Sequence, residues 1–88
     1  MNKGVAEPIY PCPFPIKVIG ENRKALEEII VQVMSSFGEV IHPDEMAFKQ
    51  SQNGNYLSIT FKIVAKNREH IEQIYAEFNV RKEVKMVL

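Results

Sequence analysis

The chain has one cysteine, Cys12, and therefore no internal disulfide, which makes a reducing compartment the expectation. It has four glycines, no two of them close, so neither a P-loop nor a dinucleotide-binding fingerprint can be written on it. No apolar run approaches the roughly 18 residues of a membrane span. The opening stretch MNKGVAEPIYP holds one lysine and lacks the apolar segment of a signal peptide. Neither charge is in excess: 11 Lys plus Arg against 11 Asp plus Glu give a net charge of zero, which removes the whole-chain footprint of a nucleic-acid binder. The expectation is a soluble, cytoplasmic chain with no membrane partner.

Chemistry-bearing clusters are equally scarce. Cys12, His42 and His70 are scattered, with none at the short spacing that zinc sites use. Flanking prolines give Cys12 no cationic neighbour to activate its thiol, so a small buried residue is expected there. Asp44 and Glu45 sit beside Pro43 in a connection, and Glu27 and Glu28 are adjacent on a helix and do not converge. No catalytic residue, metal or cofactor is assigned, and the chain is expected not to be an enzyme.

What is present is strong periodicity. At 88 residues, 45% of them hydrophobic and 25% charged, the chain suits one globular domain. Residues 1–9 show no period and read as a loose arm; 10–88 read as a single domain. FPIKVI (14–19) alternates, with Phe14, Ile16 and Val18 on one face and Pro15, Lys17 and Ile19 on the other. Residues 23–37 place Leu26, Ile29, Ile30, Val33, Met34 and Phe37 on a helical stripe, capped by Asn22 and stopped by Gly38. MAFKQS (46–51) is a weaker strand with Met46 and Phe48 inward, and QNGN (52–55) predicts a tight hairpin. YLSITFKIVA (56–65) is the clearest strand, with Leu57, Ile59, Phe61, Ile63 and Ala65 inward. Asn67 caps a helix over 68–78, and EVKMVL closes the chain with Val84, Met86 and Leu88 on one face. The order β-α-β-β-α-β predicts a ferredoxin-like plait of the α+β class. Two helices cover one face of a four-stranded antiparallel sheet; the first and third strands are central, the second and fourth at the edges.

The helices of such a plait leave one sheet face open. Alternation assigns it Lys17, Lys49, Lys62 and Lys85, one from each strand, with Ser51, Ser58 and Thr60 and no carboxylate. The face then carries about +4 and the rest of the chain 7 minus 11, or about −4. Such lysines keep a bare sheet soluble, or they form a docking surface for an acidic or phosphate-bearing partner. A nucleic-acid-associated plait is the alternative. An RNA-binding plait sets aromatics on this face, whereas Phe14, Phe48 and Phe61 fall on the core side and Tyr56 is the one exposed ring, which argues against it.

Two local features stand out. The turn Gly20-Glu21-Asn22-Arg23 joins the first strand to the first helix. There a glycine permits close backbone approach and free helix N–H groups could hold a small anion, making these four residues the first candidate ligand site. Upstream, YPCPFPIKVIG alternates Pro11, Pro13 and Pro15, so in an extended chain the missing N–H groups all fall on one side. Before Ile16 this strand can ladder fully with one neighbour only; from Ile16 onward it can pair on both. The same alternation aims Cys12 at the core and predicts that it is substantially buried. The stretch PIYP (8–11) also fits the unspecific P-x-x-P pattern, but it runs straight into the strand.

YPCPFPIKVIG, GNYLSIT and the terminal VKMVL resemble the YbeD-like family of small bacterial proteins, over about Tyr10 to Leu88. That resemblance implies a fold similar to the ACT domain, in which ligands sit near the first strand-to-helix turn, often at a dimer interface. Gly20 and Asn22 match the glycine and the acidic-or-amide residue of that turn, but Lys24-Ala25 stands where ACT domains often have Pro-Gly. The family is of unknown function and is sometimes labelled a lipoate regulator; no residue here is read as recognising a lipoyl group. The combined expectation is a non-enzymatic regulatory or interaction domain that senses a small metabolite or binds a protein partner, with a homodimer possible by analogy.

Overall fold

Asn22 and Asn67 each stop an extended segment and start a helix. In the computed structural model, which describes residues 8–88, the Asn22 Oδ1 accepts from the Ala25 N–H at 2.9 Å and the Asn67 Oδ1 from the His70 N–H at 2.7 Å. They launch α1 (Arg23–Ser36) and α2 (Arg68–Asn79). The strands are β1 (Cys12–Gly20), β2 (Ala47–Gln50), β3 (Leu57–Ala65) and β4 (Val84–Val87), with a short 3-10 turn at Pro43–Glu45. Most of the arm expected over 1–9 lies outside the described residues; Pro8 and Ile9 are exposed.

The sheet order is β2-β3-β1-β4 and every pair is antiparallel, so the ferredoxin-like arrangement is realised with β1 and β3 central. The inward residues of β1 and β3, among them Ile16, Val18, Ile59 and Phe61, form one core with Leu26, Ile30, Val33 and Met34 of α1 and Ile74 and Phe78 of α2. Burying a side chain of this size stabilises by about 1.5–3 kcal/mol each. No helix among the described residues is long and apolar enough to cross a membrane.

The prolines act on one side of β1, as their alternation predicts. β1 registers with β3 along its whole length, from Cys12 opposite Ala65 to Gly20 opposite Leu57. With β4 it pairs only from Val18 to Gly20, extended by reciprocal bonds between Lys17 and Leu88 at 3.0 and 2.8 Å. Lys17 therefore turns its N–H and C=O toward β4, and strand alternation points Pro13 and Pro15 the same way, where no strand among the described residues lies beside them. Cys12 begins β1 and is half-buried, less than expected, because it sits at the outer end of the sheet.

Two further expectations are corrected. The β2–β3 connection is a six-residue loop, 51–56, closed by Ser51 rather than by a two-residue turn. The Ser51 N–H donates to the Tyr56 carbonyl at 2.8 Å, and the Tyr56 N–H donates to the Ser51 Oγ at 3.1 Å. Gly54 takes positive φ but no non-glycine residue among those described does, so Asn53 is not in the primed turn that an Asn-Gly hairpin uses.

The second correction concerns β4. Ile19 faces Met86 while Gly20 faces Val84, so Lys85 is an extra residue in a β-bulge. A one-residue insertion reverses which face each later side chain takes. Val87, opposite Val18, joins the core side, whereas Met86 and Leu88, expected inward, stand 50% and 56% exposed on the open face. Lys85 accordingly leaves the row of open-face lysines.

On α2, partial burial raises the Tyr75 phenol above its ordinary value of 10.0. The folded chain then holds that proton to a higher pH than the unfolded chain does. Its contribution is fully present below about pH 10 and is lost as the pH rises through the folded value. Between about pH 9 and pH 11, urea midpoints are expected to fall more for the native chain than for Tyr75→Phe; equal falls would contradict this.

Candidate functional site

The strand-to-helix turn is occupied by its own structure. A Cβ placed on Gly20 would lie 2.6 Å from the Glu83 carbonyl oxygen and 2.9 Å from Leu26 Cδ2. The close approach that glycine permits is therefore made by the segment leading into β4 and by α1. Asn22 is engaged as the N-cap. The Arg23 guanidinium lies over the Phe48 ring at 3.8 Å and reaches the Glu27 carboxylate at 3.4 Å, an exposed pair that adds little stability. Glu21 is exposed and, with Asn22, Lys82, Glu83 and the displaced Lys85, lines a shallow hollow of about 380 Å³. Two carboxylates and two ammonium groups there leave no net attraction for an anion.

The open sheet face is assembled differently. Register places Pro13 beside Val64 and Pro15 beside Lys62. The next cross-strand row runs Leu88, Lys17, Thr60, Ala47, and the one after it Met86, Ile19, Ser58, Lys49. Every ionisable side chain in these rows is a lysine, and none is a carboxylate. Lys17, Lys49 and Lys62 are thus brought onto one face as expected, without Lys85. Between Lys17 and Lys49 lies a groove of about 220 Å³ whose lining includes Ile19, Leu88, Tyr56 and Ser58. Lys62 borders a neighbouring hollow that Glu45 closes at the sheet's rim, its carboxylate accepting from the His42 N–H at 3.3 Å.

The apolar floor of this face is what the sequence reading missed. Ile19 was legible, since it alternates with Lys17. Met86 and Leu88 were not, because the bulge that turns them outward leaves no mark in the residue pattern.

His70 is buried on α2. Its Nδ1 accepts from the Lys66 N–H at 3.1 Å and its ring meets Phe37 edge-on at 5.9 Å, while Nε2 has no partner among the described residues. Cys12 and His42 lie on other elements, and no three His, Cys, Asp or Glu side chains gather among the described residues.

This fold recurs in solved structures. Protein HP0495 from H. pylori matches with a TM-score of 0.64 at 19% identity, over 96% of this chain and 88% of that one. The C-terminal domain of the MgtC protein from Mycobacterium tuberculosis matches with a TM-score of 0.62 at 17% identity, over 94% and 89%. Sequence relatives are closer. A UPF0250 protein of Paraburkholderia phymatum is 35% identical over 79 residues, 90% of this chain and 89% of that protein. A UPF0250 protein of Ralstonia nicotianae is 37% identical over 79 residues, 90% and 81%. The model of a protein family of unknown function, DUF493, matches residues 7–88, and with relatives of this similarity over nearly the whole length the chain belongs to that family.

Proposed function

We propose that this domain is a non-enzymatic docking module whose open sheet face receives an acidic protein segment bearing an apolar anchor. The observation that carries the reading is the apolar groove flanked by Lys17 and Lys49 on a face whose strand rows hold no Asp or Glu side chain. Lysines that served only solubility would not need apolar side chains beside them, yet Leu88 and Met86 stand next to Lys17 and Ile19 in the same cross-strand rows. Such an apolar floor costs solubility unless something covers it.

Size and charge select the occupant. At about 220 Å³ the groove is smaller than the roughly 300–1,000 Å³ of small-molecule sites, and it suits one inserted side chain better than a whole metabolite. Two copies placed face to face would bring their lysines together without a counter-charge, so a second copy is the poorer fit. Nucleic acid would need stacking platforms, and among the described residues only Tyr56, at the groove's rim, offers one on this face.

The test is a titration of the isotope-labelled domain with a synthetic peptide of leucine and glutamate, followed by amide shifts. The expected result is shifts confined to Lys17, Ile19, Ser58, Met86 and Leu88 that weaken with added salt. In the exposed pair of substitutions Lys17→Glu and Lys49→Glu, affinity is expected to fall about tenfold, or about 1.4 kcal/mol, with the melting temperature nearly unchanged. Equal affinity in the double variant would refute the reading.

A further inference from the structure

Among the described residues, each backbone edge of the sheet is short, bulged or proline-bearing. The outer edge of β2 is four residues long. β4 is also four residues long and is bulged at Lys85. The stretch of β1 that β4 leaves uncovered, Cys12 to Ile16, turns toward the gap the positions of Pro13 and Pro15, which have no N–H to give. Short strands, bulges and prolines are the devices by which sheets refuse a further strand. A partner therefore arrives on the face.

A segment lying on a sheet face cannot join the ladder. If extended, it would press its own N–H and C=O groups against Ile19, Met86 and Leu88 without partners, and a buried backbone group left unpaired is costly. A helix satisfies those groups internally. With side chains it is about 10–12 Å across, and four strands at about 4.8 Å spacing present a face of about 14 Å between the edge-strand axes, which accommodates one helix. The charge pattern fixes its flanks: Lys17 and Lys49, in strand rows that hold no Asp or Glu, call for glutamate or aspartate beside the apolar stripe.

We infer that the occupant of the open face is an amphipathic helix with an apolar stripe and acidic flanks. This inference rests on the docking reading above and adds the conformation of the partner.

The test compares two synthetic peptides of identical leucine, glutamate and alanine composition against the isotope-labelled domain. One carries leucines at i, i+3, i+4 and i+7; the other alternates leucine and glutamate. The helical-period peptide is expected to gain helicity on binding, to shift the amides of Ile19, Ser58, Thr60 and Met86, and to bind about tenfold or more tighter than the alternating one. Equal binding of both peptides at the face overturns the helical partner and leaves the docking reading standing. Tighter binding of the alternating peptide, with shifts along Cys12–Ile16 or β2, overturns both. Binding by neither peptide also overturns both. A single-stranded RNA oligonucleotide that occupies the face more tightly than the helical peptide overturns the class of partner.

Discussion

Replacing Gly20 by alanine is expected to lower the melting temperature by about 10–20 °C, from a loss of about 2–3 kcal/mol in a domain of this size. The added methyl would meet the Glu83 carbonyl oxygen at 2.6 Å and Leu26 Cδ2 at 2.9 Å, both inside the closest distances that real Cβ atoms show. Leu26 can yield only by displacing the core, where it is fully buried. The Glu83 carbonyl belongs to the backbone, so relief requires moving the segment that leads into β4. Gly20 is not in the left-handed region, so the cost is one of space and not of conformation. Gly38 provides the contrast. It has a φ of +81° but open surroundings, so alanine there meets only the conformational penalty, about 1–2 kcal/mol. Thermal unfolding of the two variants separates the cases. A Gly20→Ala chain that melts within a few degrees of native would mean that β4 moves aside at little cost.

That steric role explains which parts of the molecule were legible beforehand. The alternation of Ile16 and Val18, and of Leu57 through Ala65, encodes which side of each strand is buried, because side-chain direction has a fixed period of two. Asn22 and Asn67 announce their helices because their short amide side chains bond the third residue onward, whatever the tertiary context. Gly20 was legible as a point of close approach, but not in what approaches it. Glu83 is remote in sequence, and nothing local links the two. β4 failed for a related reason. Counting from Val84 assumes an unbroken period, and the bulge at Lys85 is set by pairing with Ile19 and Gly20. The candidate surface was therefore half readable. Three lysines and Ile19 follow from alternation within their own strands, whereas Met86 and Leu88 reach the open face only through tertiary register.

Restoring backbone donors to the uncovered part of β1 is expected to make the chain self-associate. Pro13 and Pro15 occupy positions whose N–H would point away from β3 into the gap beyond Leu88, given that Lys17, in the same phase, bonds Leu88 in both directions. Valine at both positions (P13V and P15V) keeps a β-favouring side chain and supplies two N–H groups beside carbonyls already facing outward. Two copies can then pair antiparallel along this stretch, each edge contributing the same residues, as a two-fold interface requires. Sedimentation velocity of the double variant is expected to show a concentration-dependent shift toward a larger species, relative to the native chain under the same conditions. Superimposable profiles would show that the prolines do not guard this edge. The same variant bears on the partner's conformation. Once N–H groups are available at 13 and 15, an alternating acidic peptide has a ladder to join, and its affinity should rise while that of the helical-period peptide, held on the face by Lys17, Lys49 and the aliphatic floor, should not. A rise in both would place the helical peptide at the edge, and the assignment of the face as its seat would fail.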